Sequence, residues 1–116
     1  MSNVTQPIYN WQGPLPLDGD PFTPTRDGTI LLLASGSGWS TDEGGLIGMN
    51  ILVNESLVGT SQVFTNEERS HKAFIPICVP LSGLTPGQPA TVRLEALDGT
   101  TTDYNDYFNV TVVEID

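Results

Sequence analysis

Basic residues are scarce in this chain. Lysine and arginine together number 4 against 14 aspartates and glutamates, so the formal net charge at pH 7 is −10. A surface of this sign repels phosphate backbones and anionic lipid headgroups. We therefore expect no nucleic-acid partner and no electrostatic docking to membranes, whereas a divalent cation is a compatible ligand.

Cysteine and histidine occur once each, as Cys78 and His71. A single cysteine excludes an intrachain disulfide, and one cysteine with one histidine excludes the usual zinc spacings. The two residues are seven positions apart in one predicted strand, too far apart for a nucleophile and its base. We expect Cys78 to be buried or at an interface, His71 to be solvated at a strand end, and the protein not to be an enzyme.

Long apolar runs and uninterrupted helical windows are absent as well. No stretch approaches the roughly 20 apolar residues of a membrane span, and the N-terminus lacks the basic and apolar regions of a signal peptide. We expect no membrane insertion, and a chain made in the cytoplasm, either free or as part of a virion or exported particle. Because Gly (12) and Pro (9) punctuate every helical window, the predicted class is all-β.

The sequence does contain clear alternation of apolar and polar residues. Segments 90–96 and 107–115 each have a period of two, and we predict that they form a C-terminal hairpin. Segments 46–53 and 57–64 predict a second hairpin that turns at 54–56. Segment 30–34 is apolar throughout, which predicts a strand buried on both faces.

The remaining segments complete one antiparallel β-sandwich of seven or eight short strands over residues 25–116. Residues 71–79 predict a strand that lies at an edge or is bulged at Pro76. The glycine-rich segment 35–45 is predicted to be a long mobile loop. Residues 1–24 are predicted to be an extended, proline-rich arm, packed either on its own domain or on a neighbouring subunit.

Five features follow one another along residues 22–116. They are a segment that leads into a first strand at 22–30, the apolar run 30–34, a hairpin turn with Asn54, a loop at 84–87 that leads into a strand, and a final strand 108–115. This order resembles the small jelly roll of the tumour-necrosis-factor and complement globular-head superfamily. The resemblance implies a jelly-roll topology and a homotrimer whose protomers pack around a three-fold axis.

Apolar residues opposite the presumed core agree with such a trimer, because a symmetric contact would bury them. They are Leu31, Leu33, Leu46, Leu52, Val113 and Ile115.

The connection between the last two predicted strands is rich in oxygen ligands. The candidate metal ligands are Asp98, Asp103, Asn105 and Asp106. Calcium binds several carboxylate and amide oxygens in a flexible loop, so Ca²⁺ is the cofactor that this spacing suggests. The alternative is that these side chains cap turns through their own backbone. A second acidic group offers a weaker form of the same pattern: Asp18, Asp20, Asp42 and Glu43.

Aromatic rings beside polar loops, with planar Asp and Asn side chains nearby, are typical of sugar sites. The candidate ligand-binding residues are Trp39, Asp42, Tyr104, Asn105 and Tyr107. The alternative is that they pack their own loops, with Trp39 a core or interface residue.

These observations favour a non-enzymatic, self-assembling β-sandwich, a homotrimer that acts as a structural or receptor- or glycan-binding module of a phage or bacterial surface assembly. Its expected partners are copies of itself and a glycan or cell-surface receptor. A monomeric immunoglobulin-like or carbohydrate-binding domain, with or without calcium, is the alternative, and a small hydrolase without a sequence signature is a third.

Overall fold

A computed structural model describes residues 3–115 of the chain as an all-β protein. Its eleven described strands are β1 (Asn3–Gln12), β2 (Leu17–Asp18), β3 (Thr29–Ser35), β4 (Ser37–Ser40), β5 (Gly45–Val53), β6 (Ser56–Thr65), β7 (Lys72–Ala73), β8 (Ile77–Leu81), β9 (Val92–Ala96), β10 (Thr100–Thr101) and β11 (Tyr107–Ile115). No helix long and apolar enough to cross a membrane occurs among the described residues.

Eight of these strands form two four-stranded antiparallel sheets. Sheet 1 has the order β1-β11-β3-β8, and sheet 2 has the order β2-β9-β5-β6. If these eight strands are numbered in chain order, the sheets read 1-8-3-6 and 2-7-4-5, because most successive strands alternate between the sheets. This is the strand order of a jelly roll, so the predicted antiparallel sandwich with jelly-roll topology is confirmed.

A third, smaller sheet lies at one end of the sandwich, with the order β10-β4-β7. It begins where the chain leaves β3 at Gly36, where a side chain could not fit: a Cβ at this position would lie 2.5 Å from a ring carbon of Phe108. The small sheet is built from three short, widely separated pieces of sequence, and it positions the site described below.

The core lies between sheets 1 and 2 and is filled by residues at every second strand position. Phe108, Val110 and Val112 from β11 and Val92 and Leu94 from β9 are all at most 1% exposed. A fully buried side chain of this kind contributes about 1.5–3 kcal/mol relative to an exposed one. The alternation in the sequence therefore predicted the buried faces of both strands correctly.

The predicted hairpin of residues 46–53 and 57–64 is confirmed as β5 and β6. Its turn consists of Asn54 and Glu55, whose φ angles are 49° and 68°, as the two-residue turns of hairpins require. The strands pair from Val53↔Ser56 outward, with a register shift beside Gly59.

The predicted C-terminal hairpin is wrong. Strand β9 pairs with β2 and β5 in sheet 2, whereas β11 pairs with β1 and β3 in sheet 1. The segment between them crosses from one sheet to the other. Alternation specifies which face of a strand is buried, but it does not specify the neighbouring strand.

One further prediction for the first half of the chain is wrong, and another is met in part. The segment 35–45 is not one long loop, because it contains β4 and the start of β5. Within one chain, strand β3 is buried on one face: Leu32 is 0% exposed, whereas Leu33 is 42% exposed. Burial of its second face, which would need a partner, stays a prediction. The outward face of β3 carries leucines where most sandwich strands carry polar residues, which is why its sequence reads as fully buried.

The predicted strand 71–79 is two separate strands, β7 and β8, with Pro76 in the break between them. Proline lacks a ladder donor, and β8 lies at the edge of sheet 1. Cys78 is exposed rather than buried, because it pairs with the outward-facing Leu33.

Residues 3–12 of the predicted arm form β1, the edge strand of sheet 1. The strand pairs with β11 from Asn3↔Glu114 to Gln12↔Tyr107, and Ile8 is 0% exposed. This part of the arm is therefore packed on its own domain in the structure.

Glu114 is a buried carboxylate near the end of β11. It accepts hydrogen bonds from the Thr25 backbone N–H at 2.8 Å and from Asn3 Nδ2 at 2.9 Å. Burial alone would raise the pKa of Glu114, but the hydrogen bonds from Thr25 and Asn3 and the nearby charge of Arg26 outweigh it and lower the pKa. The ionised carboxylate therefore joins β1, β11 and the segment before β3.

Replacement of this carboxylate by an amide, Glu114→Gln, is expected to lower the free energy of unfolding at pH 7 by about 1.5–3 kcal/mol, the range for hydrogen bonds to a charged group. Because the folded-state pKa is lowered, the stabilisation is present above the unfolded-state pKa and is lost as pH falls through the folded-state pKa. Urea unfolding at pH 7 and at roughly pH 3 measures the difference from wild type. A difference of equal size at both pH values contradicts the assignment, and Glu68→Gln, at an exposed position, is the control.

Candidate functional site

Asp106 is the centre of the site at the small-sheet end of the sandwich. Its side chain is 0% exposed, and its two oxygens accept three hydrogen bonds from separate parts of the chain. Ser37 Oγ and His71 Nδ1 each lie 2.7 Å from Oδ1, and the Asp103 backbone N–H donates to Oδ2 at 2.9 Å. A buried carboxylate is tolerated only with such partners.

His71 lies directly before β7 and is exposed, as predicted from the sequence, but its hydrogen bond to the buried Asp106 was not predicted. Its side chain is 37% exposed, and its second ring nitrogen, Nε2, lies 3.6 Å from Asp103 Oδ2. The strand pair β4–β7 explains this position, because the register Ser37↔Ala73 and Gly38↔Lys72 brings His71 beside the next residue of β4, Trp39.

Segment 102–106 is an ordered turn. The Asp106 N–H donates to the Asp103 carbonyl at 3.0 Å, and the Asn105 N–H donates to Asp103 Oδ1 at 2.8 Å. The turn is also joined to the N-terminal strand, since Gln12 Nε2 donates to the Tyr104 carbonyl at 2.8 Å and the Gly13 N–H donates to the Asp106 carbonyl at 2.7 Å. These bonds hold the turn in one conformation.

Trp39 is part of this site and is only partly buried. It lies in β4 opposite Thr101 of β10, and its ring centroid is 6.1 Å from that of His71 at an interplanar angle of 47°. The buried indole Nε1 finds no hydrogen-bond partner among residues 3–115. A phenylalanine ring at position 39 would not bury an N–H donor without a partner.

The structure brings most of the predicted ligand-binding residues to one end of the sandwich. Tyr104 and Asn105 are in the ordered turn, Tyr107 opens β11 opposite Gln12, and Trp39 contacts His71. Tyr104 is 70% exposed and Tyr107 is 44% exposed. Asp42 is exposed in the segment after β4, where its N–H donates to Ser40 Oγ at 3.1 Å.

The predicted calcium ligands are only partly assembled. Asp103 and Asp106 lie together, but Asn105 contributes its backbone N–H to the turn, and the ligating group found among the described residues comprises His71, Asp103 and Asp106 without Asp98. Asp103 Oδ1 and both Asp106 oxygens accept hydrogen bonds within the chain. These contacts are those of the turn-capping alternative.

Sequence reasoning missed three residues that build this site: Ser37, His71 and Gln12. Ser37 and Gln12 are single polar residues in segments that carry no motif. The only sequence signal for His71 was that it is the chain's one histidine. Its contact with Asp106 spans 35 positions and depends on strand pairings that local patterns do not specify.

The outer face of sheet 2 carries a separate groove of about 530 Å³, lined in part by Asp18, Arg93 and Glu95. Arg93 pairs with Glu95 and with Asp18, each at 2.9 Å. Because these charges are satisfied by one another, the small-sheet end is the better candidate site.

Searches with this chain found no matching family model and no matching curated protein. Among solved structures, it is similar to a domain described as "EclA C-terminal domain; sugar-binding protein", with 9% identity, a TM-score of 0.48, and coverage of 98% of this chain and 77% of the other. It is also similar to the CBM36-1 domain of a multidomain xylanase from the hindgut metagenome of Trinervitermes trinervoides, with 11% identity, a TM-score of 0.46, and coverage of 100% and 98%.

Both TM-scores lie below 0.5, so neither likeness assigns a function to this chain. Neither description names the tumour-necrosis-factor superfamily. That membership therefore stays a prediction from the sequence.

Asp106→Asn tests whether the buried carboxylate holds the end of the sandwich together. Asparagine has an amide NH₂ group in place of one carboxylate oxygen, and this group would face at least one of the three hydrogen-bond donors around Asp106. Because two donors would then face each other, the free energy of unfolding should fall by about 1–3 kcal/mol. Chemical denaturation measures the loss, with Asp98→Asn at an exposed turn position as the control. Equal stability of the two variants contradicts this role for Asp106.

Proposed function

We propose that this β-sandwich is a non-enzymatic carbohydrate-binding module whose site is the ordered turn 102–106 together with Tyr107 and Trp39. The observation that carries the proposal is the presentation of two exposed tyrosine rings, Tyr104 in a turn held by a fully buried carboxylate and Tyr107 at the start of the strand that follows. Loops positioned by a rigid scaffold are where binding residues concentrate.

The fixed turn favours binding because little conformational entropy is lost when a ligand docks. Tyr104 and Tyr107 offer apolar ring surface, and their hydroxyls can bond to water or ligand. Asn105 and Asp103 add planar polar groups beside the rings. Ring faces for the C–H surface of a sugar and planar groups for its hydroxyls are the two requirements of a glycan site.

The charge of the protein narrows the class of glycan. A net charge of −10 and the carboxylate of Asp103 within the site disfavour sulfated and sialylated sugars. Neutral oligosaccharides are therefore the ligands that we propose.

The arrangement around His71 is not that of a nucleophilic hydrolase triad. A nucleophilic triad requires a hydroxyl or thiol at the ring nitrogen opposite the orienting carboxylate. Asp106 bonds to Nδ1, but Nε2 lies 3.6 Å from a second carboxylate, that of Asp103. Ser37 donates to Asp106 instead of facing the imidazole as a nucleophile.

We also propose that copies of this chain associate through the outer face of sheet 1, in the homotrimer expected from the sequence. The strand registers place Val4, Val113, Leu31 and Pro80 in one row across the four strands of sheet 1. The next row contains Thr111, Leu33 and Cys78.

Neither row contains a charged residue. Two copies that each carry a charge of −10 repel one another, so an uncharged apolar face is the surface on which they can meet. For the wider setting, a phage or bacterial surface assembly, the sequence resemblance is the only support.

Glycan binding is tested by an array of neutral, sulfated and sialylated oligosaccharides, followed by calorimetry with the strongest neutral binder. Tyr104→Ala and Tyr107→Ala should each weaken that binding by roughly fivefold, because about 1 kcal/mol of ring contact is lost. Phe64→Ala removes a ring that is 60% exposed on the other sheet and should leave binding unchanged. No neutral binder on the array, or equal losses in all three variants, contradicts the proposal.

Self-association is tested by light scattering on a sizing column. The wild-type chain should have a mass near three times 12.5 kDa, and Leu33→Glu should reduce it to that of one chain, because the substitution places a charge in the apolar face. Leu57→Glu, at a leucine that is 61% exposed on β6, is the matched control. A wild-type mass of one chain excludes the trimer.

A further inference from the structure

We propose that His71 Nε2 and Asp103 Oδ2 are two ligands of a site for a first-row transition-metal ion such as Zn²⁺ or Ni²⁺, with Asp106 as the residue that orients the histidine. This inference does not rest on glycan binding, although both proposed sites include Asp103. It shares Asp103 with the calcium site expected from the sequence, but it adds a histidine nitrogen, makes Asp106 a partner of the histidine instead of a ligand, and takes a different class of metal.

The first argument concerns the tautomer of His71. Nδ1 lies 2.7 Å from Asp106 Oδ1, and a carboxylate oxygen that already accepts from Ser37 requires a hydrogen on Nδ1. In the neutral ring the other nitrogen, Nε2, then carries a lone pair. Metal-binding histidines commonly have this arrangement, because a carboxylate at one nitrogen fixes the ring and makes the other nitrogen a better ligand.

The second argument is the separation of Nε2 from Asp103 Oδ2, which is 3.6 Å. A charge-assisted hydrogen bond would be about 2.7–2.9 Å long, so a proton shared by the two groups does not explain the distance. Ligands bound tetrahedrally at about 2.0–2.2 Å lie roughly 3.4 Å apart. The lone pair and the carboxylate are therefore spaced for a cation between them.

The third argument concerns access and selectivity. The side chains of His71 and Asp103 are 37% and 39% exposed, so an ion can enter from solvent and complete its coordination with water. The net charge of −10 attracts cations to the protein. A nitrogen ligand favours zinc, nickel or copper over calcium and magnesium, which prefer oxygen.

Trp39 supplies a reporter, because its ring centroid lies 6.1 Å from that of His71. The chain has two tryptophans, so a Trp11→Phe background isolates the emission of Trp39. In chelator-treated protein, Zn²⁺ should bind with one-to-one stoichiometry by calorimetry, and Ni²⁺ should quench Trp39 saturably.

His71→Asn is the decisive variant, because its amide can still donate to Asp106 but has no counterpart of Nε2. We expect it to weaken Zn²⁺ binding and Ni²⁺ quenching by at least tenfold, and Asp103→Asn to do the same, with unchanged circular dichroism. Asp98→Asn should bind as the wild type does. In NMR spectra, the Nε2 resonance of His71 should shift when Zn²⁺ is added to the metal-free protein.

Three results would overturn the proposal. The first is the absence of saturable Zn²⁺ binding, and the second is equal affinity in His71→Asn and wild type. The third is a proton on Nε2 that Zn²⁺ does not displace. In that case the histidine would be a bridge between the carboxylates of Asp103 and Asp106. Binding of Ca²⁺ that is unaffected by His71→Asn, without Zn²⁺ binding, would favour the oxygen site expected from the sequence.

Discussion

One end of this sandwich is organised by the need to satisfy a carboxylate that has been taken out of water. Asp106 is fully buried, and an ion in that environment destabilises the fold unless hydrogen bonds replace its hydration. The three donors come from β4, from the segment before β7 and from the turn before β11. Because those donors are distant in sequence, the carboxylate joins the small sheet to sheet 1.

The same bonds determine what this end exposes. A turn held by Asp106, Gln12 and Gly13 presents Tyr104, and the strand that follows it presents Tyr107. A histidine fixed through one nitrogen directs the other nitrogen toward Asp103. The glycan site and the metal site that we propose therefore depend on one buried interaction, although each is tested by different residues.

The fold class was predictable from the sequence because burial imposes a period of two. Phe108, Val110 and Val112 were placed on the buried face correctly, and the β5–β6 hairpin followed from its short turn. Strand pairing was less predictable. In a jelly roll, successive strands often lie in different sheets, so β9 and β11 are neighbours in sequence but not in space. The apolar run of β3 showed that both faces of the strand are apolar, but it could not show which face meets the core of the chain.

The candidate site was predictable in part. Tyr104, Asn105 and Tyr107 stood out because aromatic and planar polar residues share one connection, and Trp39 stood out as an aromatic residue among glycines. The prediction could not extend to His71 or Ser37, since their contacts with Asp106 span 35 and 69 positions. It also treated Asp106 as a free ligand, because local sequence does not show which carboxylate the fold will bury.

Amide hydrogen exchange in the native protein tests most directly whether Asp106 fixes this end of the sandwich. The N–H groups of Asp103 and Asp106 are the ones to follow, since the first donates to the buried carboxylate and the second closes the turn. If the turn is held as described, both should exchange about as slowly as the amides of β11. Exchange as fast as that of the exposed segment 41–43 would show that the turn opens freely, and it would contradict a preformed binding site.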